Sequence, residues 1–250
     1  MKKLLLVVTT LVFAVFAGLS FHPSYISETE TKTDNIEKID AENRAPKVSE
    51  TQLIYDSLNL DSVLNYDAFE QAMIGYRSIP AKNKDILTVI DFSLPSTEKR
   101  MYVLDMKNKK LLFHTLVSHG RNSGEKFATE FSNKHGSYQS SLGFYITDAT
   151  YQGGNGYSLR LEGLEPGIND QAKARAIVIH GADYCSEDVI RATGRLGRSY
   201  GCPALPRALN KPIINTIKEG SLLFIYAGDD AYTADSDVFK KYQTEPTRRS

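Results

Sequence analysis

Apolar residues recur at helical spacing along residues 49–79. Leu53, Ile54, Leu58 and Leu60 precede Phe69, Met73, Ile74 and Tyr76, and Ser49 and Asp67 stand where N-caps belong. The pattern predicts a small helical segment over 49–84 that prefaces the main domain or covers a face of it. From about residue 85 the period changes. Ile86–Phe92 is a dense run of β-formers. Arg100–Met106 alternates, Lys107-Asn108-Lys109 supplies a turn, and Leu111–Val117 returns, which reads as a hairpin. Leu142–Thr147, Tyr157–Leu161, Ala176–His180 and Ser221–Tyr226 are further strand candidates. The Gly- and Ser-rich stretch 118–143 reads as long loops. One helix is expected over 206–218, with Ile213, Ile214 and Ile217 on one side and Gly220 as its stop. These elements make a mainly β domain over 85–228, sandwich or barrel-like, with a few short helices.

The two ends read differently. Lys2 and Lys3 precede an apolar run from Leu4 to Leu19, with small residues at Ala14, Ala17, Gly18 and Ser20. Residues 1–21 therefore read as an export signal, cleaved after Ala17 or Ser20, or retained as a membrane tether. The polar stretch 22–48 reads as a disordered tether, and 229–250 as a polar, frayed tail.

Composition narrows the function classes. Thirty Lys and Arg balance thirty Asp and Glu, without the basic surplus of a nucleic-acid binder. Two cysteines, Cys185 and Cys202, are too few for a disulfide framework in an exported chain. Cys185 reads as a bystander thiol, with a redox switch as the lesser alternative. No His, Cys, Asp or Glu set has metal-ligand spacing, so neither metal nor other cofactor is expected.

The chemistry concentrates in one segment. An apolar strand delivers His180 and Gly181, and Ser199-Tyr200-Gly201-Cys202-Pro203 follows. A thiol reacts as its thiolate, and an imidazole can take the proton and return it to a leaving amine. Gly201 permits a tight turn before Cys202. Pro203 has no N–H, so donors for a developing oxyanion must come from Tyr200, Gly201 or Cys202. Alone, a Cys and a His in apolar surroundings are more often packing residues than catalytic ones. His114 reads as a packed histidine and His135 as a loop residue. Ser118-His119-Gly120 either lines a cleft or fixes a loop.

His180-Gly181 followed by Ser199-x-Gly201-Cys202 resembles the signature of the L,D-transpeptidases with a YkuD-like catalytic domain. Over 85–226 the chain is similar to the murein L,D-transpeptidase branch. The matching stretches are VIDFSLPSTEKRMYVLDM, LVSHGRNSG, FSN, SYQSSLGFYIT, GYSLRLEGLE, IVIHGADY and GRSYGCPAL. Tyr200 replaces the family's usual His. Pro203 and Ala204 replace an apolar residue and an Arg or Asn, and the spacing from His180 to Cys202 is longer.

The resemblance implies an exported enzyme of the periplasm or cell envelope, acting on peptidoglycan stem peptides. Cys202 is the implied nucleophile, His180 its base, and Ser199 an organiser of the site. Tyr200, Gly201 and Gly181 are assigned to the oxyanion or substrate, and Arg198 or Arg207 to a substrate carboxylate. Cys202 would cleave the bond between the third, diamino residue and D-alanine, pass the acyl group to an amine, and be acylated by carbapenems. Water as acceptor would make a carboxypeptidase. A catalytically idle peptidoglycan-binding module, or a cysteine peptidase of another fold, is the alternative.

Overall fold

The computed structural model describes residues 48–244. The expected export signal and all but the last residue of the tether lie outside the described residues. Helix α1 (Glu50–Ser57) is capped by Ser49, whose Oγ accepts from Gln52 N, as its sequence position suggested. Helix α2 (Tyr66–Ser78) is capped by Asn65, whose Oδ1 accepts from Asp67 N at 2.8 Å. Asp67 lies inside the first turn, where its charge complements the helix dipole. Both helices are part of the main core. Phe69, Ala72 and Met73 are fully buried with strand residues, and Gly75 admits the Phe144 ring where a Cβ would collide.

The strands are β1 (Asn83–Asp91), β2 (Met101–Asp105), β3 (Lys110–Thr115), β4 (Gly143–Gly153), β5 (Gly156–Gly163), β6 (Val178–Gly181), β7 (Ala204–Leu205) and β8 (Ser221–Tyr226). They form one mixed sheet in the order β3-β2-β1-β8-β4-β5-β6-β7. The β2–β3 hairpin turns at Lys109, which is in the left-handed region. Beyond β3 the chain bridges from Ser118 to Ala204 and from Gly120 to Ser199. One edge strand is thus continued onto the other edge, and the sheet rolls toward a barrel. The mainly β expectation holds.

Four further helices lie among and after the later strands. Helix α3 (Glu187–Thr193) is capped by Ser186 and ends at the left-handed Gly194. Helix α4 (Arg207–Ile217) buries Ile213, Ile214 and Ile217. The segment expected to be a frayed tail instead folds as α5 (Asp230–Asp235) and α6 (Asp237–Thr244). Tyr232 and Phe239 anchor these two turns of polar sequence by packing on Phe224. Glu165 ties them down, its Oε2 accepting from Phe144 N at 2.7 Å and Tyr232 Oη at 3.0 Å, its Oε1 from Ser236 Oγ. Among the described residues no helix is long and apolar enough to cross a membrane.

Candidate active site

Strand β6 is only four residues long and fully buried, and it ends in His180 and Gly181. Its parallel neighbour β7 sets His180 opposite Ala204, so Cys202 arrives two residues before that register point. Val178 N donates to Cys202 Sγ at 3.5 Å. Val178 and His180 share one face of β6 because side chains alternate along a strand. The thiol thus meets the backbone of the strand that carries the imidazole. Both residues open into one cavity of about 450 Å³, together with Arg121, Asn155, Tyr184, Arg195, Arg198, Ser199 and Tyr200. A larger cavity of about 730 Å³, between the α1–α2 connection and the β2–β3 hairpin, contains neither residue.

The imidazole is only 4% exposed. His180 Nδ1 lies 3.2 Å from Gly181 O. A carbonyl can only accept, so Nδ1 carries the hydrogen and Nε2 keeps its lone pair. Burial pulls the His180 pKa below its ordinary value, Gly181 O opposes this, and Arg207 adds to it. Burial pushes the Cys202 thiol up, while Val178 N–H and Arg175 counteract it. The thiol's own hydrogen bond runs to Ala176 O at 3.8 Å. At neutral pH this is a protonated thiol sharing its cavity with a neutral imidazole, the thiol turned toward the backbone of Ala176 and Val178.

The turn before the thiol is built by Ser199. Its Oγ donates to Cys202 O at 2.6 Å and accepts from Gly201 N at 3.1 Å. Ser199 thus shapes the loop and makes no bond to the imidazole. Gly201 has φ +118, and a Cβ there would sit 2.8 Å from Gln139 O. Gly201 N is thereby engaged by Ser199 Oγ. Gly181 lies outside the cavity lining. Its carbonyl holds the imidazole, and its missing Cβ lets Asn210 approach.

Two residues that sequence reasoning offered for a substrate carboxylate are engaged elsewhere. Arg198 Nη1 donates to Arg121 O, Gly124 O and Glu125 Oε1, each within 2.9 Å. Arg207 pairs with Asp183 and does not line the cavity. Arg175, which the sequence did not single out, clamps the loop behind the Cys202 turn. It donates to Ser132 O, Ser141 Oγ and Gln139 O, each at 2.6 Å. Arg121, which also went unassigned, lines the cavity with its guanidinium carbon 5.9 Å from the Tyr200 ring centre.

His119 fixes a loop. Its Nε2 donates to Gly124 O at 3.2 Å, so Nδ1 is the acceptor for Arg100 Nη2 at 2.7 Å. Burial, then Arg100, brings its pKa down to about 4. His114 stacks on Tyr102, and His135 is exposed in a turn. Cys185 is a free, fully buried thiol, pushed up to about 11 by burial, in a small cluster with Leu116, Ala182, Leu196 and Ala204. Among the described residues no three His, Cys, Asp or Glu side chains are grouped to hold a metal.

The profile of the L,D-transpeptidase catalytic domain family (YkuD_2) matches residues 60–226, a span that begins before α2. No curated protein matches the chain significantly. Three solved structures show its range of likeness. An L,D-transpeptidase from Mycobacterium smegmatis is 13% identical over 57% of this chain and 59% of that one, with a TM-score of 0.37. An Enterococcus faecium L,D-transpeptidase mutant is 15% identical over 57% and 50%, TM-score 0.34. L,D-transpeptidase 3 from Mycobacterium tuberculosis, carrying a faropenem-derived adduct, is 15% identical over 57% and 60%, TM-score 0.34. The chain spans 50–60% of the length of these structures.

Proposed function

The chain belongs to the L,D-transpeptidase catalytic domain family, and from that premise we propose that it is a peptidoglycan L,D-transpeptidase working through Cys202 and His180. The observation that carries the reading is the shared cavity. A thiol and an imidazole whose Nε2 lone pair is free open into the same 450 Å³ space, beside Ser199 and Tyr200 of the turn that carries the thiol. That combination supplies a nucleophile, a base and an oxyanion site.

The thiol leaves Ala176 O and turns toward His180, whose Nε2 takes its proton as sulfur bonds to the carbonyl carbon of the third stem residue. Tyr200 and Cys202 N–H groups stabilise the oxyanion. His180 then gives that proton to the departing nitrogen of D-alanine, the C–N bond breaks, and a thioester remains. An acceptor amine attacks the thioester, losing a proton to His180, and the released sulfur takes that proton back. One amide is broken and one formed, with the energy held in the thioester between them. Ser199, Gly201 and Arg175 hold the turn in register. The substrate class places the work in the cell envelope, with stem peptides as partners and carbapenems as acylating inhibitors.

One observation favours a non-catalytic peptide-binding module instead: the thiol rests against the β6 backbone rather than on the imidazole. The same experiment separates the two readings. Disaccharide-tetrapeptide from cell wall is incubated with the protein and with Cys202→Ala, and the products are weighed. A crosslinked dimer that has lost one D-alanine, absent with Cys202→Ala, supports transpeptidation. Loss of D-alanine without dimer indicates a carboxypeptidase. Binding without any product leaves the module.

A further inference from the structure

Three arginines line the Cys202 cavity, and their surroundings differ. Arg195 and Arg198 share Glu125, at 2.8 Å to Oε2 and Oε1 respectively. Both also donate to backbone carbonyls. Arg121 has no acidic partner among the described residues, and its side chain is exposed. Its backbone is nonetheless fixed to the nucleophile turn. Arg121 N donates to Ser199 O at 2.7 Å, and Arg121 O accepts from Arg198 Nη1 at 2.8 Å.

The guanidinium stands over an aromatic ledge. Tyr200 is 66% exposed and Tyr138 45% exposed, and their ring centres are 4.7 Å apart. The paired rings offer contiguous apolar surface beside the cavity, which Tyr200 lines, of the kind that binding sites use. A ring face beneath a guanidinium orients the cation without neutralising it. The fork of an unpaired guanidinium matches a carboxylate in a bidentate way.

We propose that Arg121, steadied by Tyr200, is the specificity residue that binds the free α-carboxylate of the residue expelled from the donor stem. The inference rests on the transpeptidase reading of the same cavity. In such a donor this carboxylate lies three bonds beyond the carbonyl carbon that Cys202 attacks, so both groups fit one pocket. It also replaces the assignment to Arg198 or Arg207, which their existing partners disfavour.

The test compares three synthetic donors with wild type, Arg121→Gln and Arg121→Lys, following D-alanine or D-alaninamide release. The donors are a tetrapeptide ending in a free carboxylate, its terminal carboxamide, and a free-acid tetrapeptide with lysine at position three. Wild type is expected to favour the free acid over the carboxamide in kcat/KM by about tenfold or more, the size of a charge-assisted bidentate contact. Arg121→Gln brings that ratio to about one, Arg121→Lys restores part of it, and Arg121→Gln slows the lysine free acid as much as it slows the parent free acid. The proposal is overturned if Arg121→Gln slows acid and carboxamide equally, or if its effect follows the third residue's side-chain carboxylate. Wild type releasing nothing from any donor overturns the transpeptidase reading itself, and this inference with it.

Discussion

At the scale of single residues, the paired pKa shifts describe a neutral thiol and imidazole rather than a preformed ion pair. Burial lowers the proton affinity of His180 and raises that of Cys202. A lowered imidazole pKa keeps the base neutral into more acidic solution. A raised thiol pKa keeps the nucleophile protonated into more alkaline solution. The acylation rate of Cys202 should therefore hold its plateau below pH 6.5, the ordinary imidazole value, before its acid limb falls. Alkylation of the resting thiol by iodoacetamide should rise only above the ordinary thiol range. An acid limb displaced above pH 6.5 would contradict the assignment of His180. That Cys202 and His180 come to one cavity could be anticipated from the resemblance of their segment to a known signature. The engagement of Arg198 was not, because its partner Glu125 comes from a distant loop that no spacing connects to it. Nor was Arg175, whose value lies in carbonyls supplied by folding of 132–141.

At the scale of elements, the nucleophile turn is shaped by two features, the Ser199 hydroxyl bridge and the left-handed Gly201. Alanine at Gly201 must adopt a positive φ and press a methyl on Gln139 O. Gly201→Ala is expected to stay folded by circular dichroism and to lose roughly a hundredfold in Cys202 acylation, as displacement of a nucleophile by about an ångström does. Unchanged acylation by a carbapenem would show that the turn is not under that constraint. The long strands and α4 could be read from period and β-branched content. Strand β7 could not, since two residues carry no period and its pairing comes from His180 and Ser118 far away in sequence. The cap of α2 falls on Asn65 rather than Asp67 because both are good caps and only backbone direction decides between them.

At the scale of the whole molecule, the chain continuing from β3 crosses to β7 and supports the site from beneath. The buried pair of Arg100 and His119 holds this crossing, with Arg100 also donating to Val117 O and Leu94 O. His119 is depressed to about 4 in the folded protein against an ordinary value near 6.5. The folded state thus binds fewer protons, and the stability contributed by neutral His119 is lost as pH falls from 6.5 toward 4. For a fully buried group with that shift the loss is about 3 kcal/mol. Asp91 and Glu165 act in the opposite sense, since burial raises both and the folded state takes up their protons more readily. Urea unfolding between pH 7 and 4 should therefore show a fall that flattens in His119→Gln; equal slopes would remove His119 from the account. The closure and the C-terminal helices were hidden for one reason. A polar stretch held by Tyr232, Phe239 and a single buried Glu165 has the composition of a tail, and only the surface it meets makes it structure.

The central claim is that Cys202 forms a thioester with the donor stem. Intact-mass spectrometry after rapid mixing with a tetrapeptide donor and acid quenching tests it directly. The expected result is a species heavier by the donor less D-alanine, located to the Cys202 peptide and absent from Cys202→Ala. D-alanine release that survives in Cys202→Ala, or an adduct on any other residue, would contradict it.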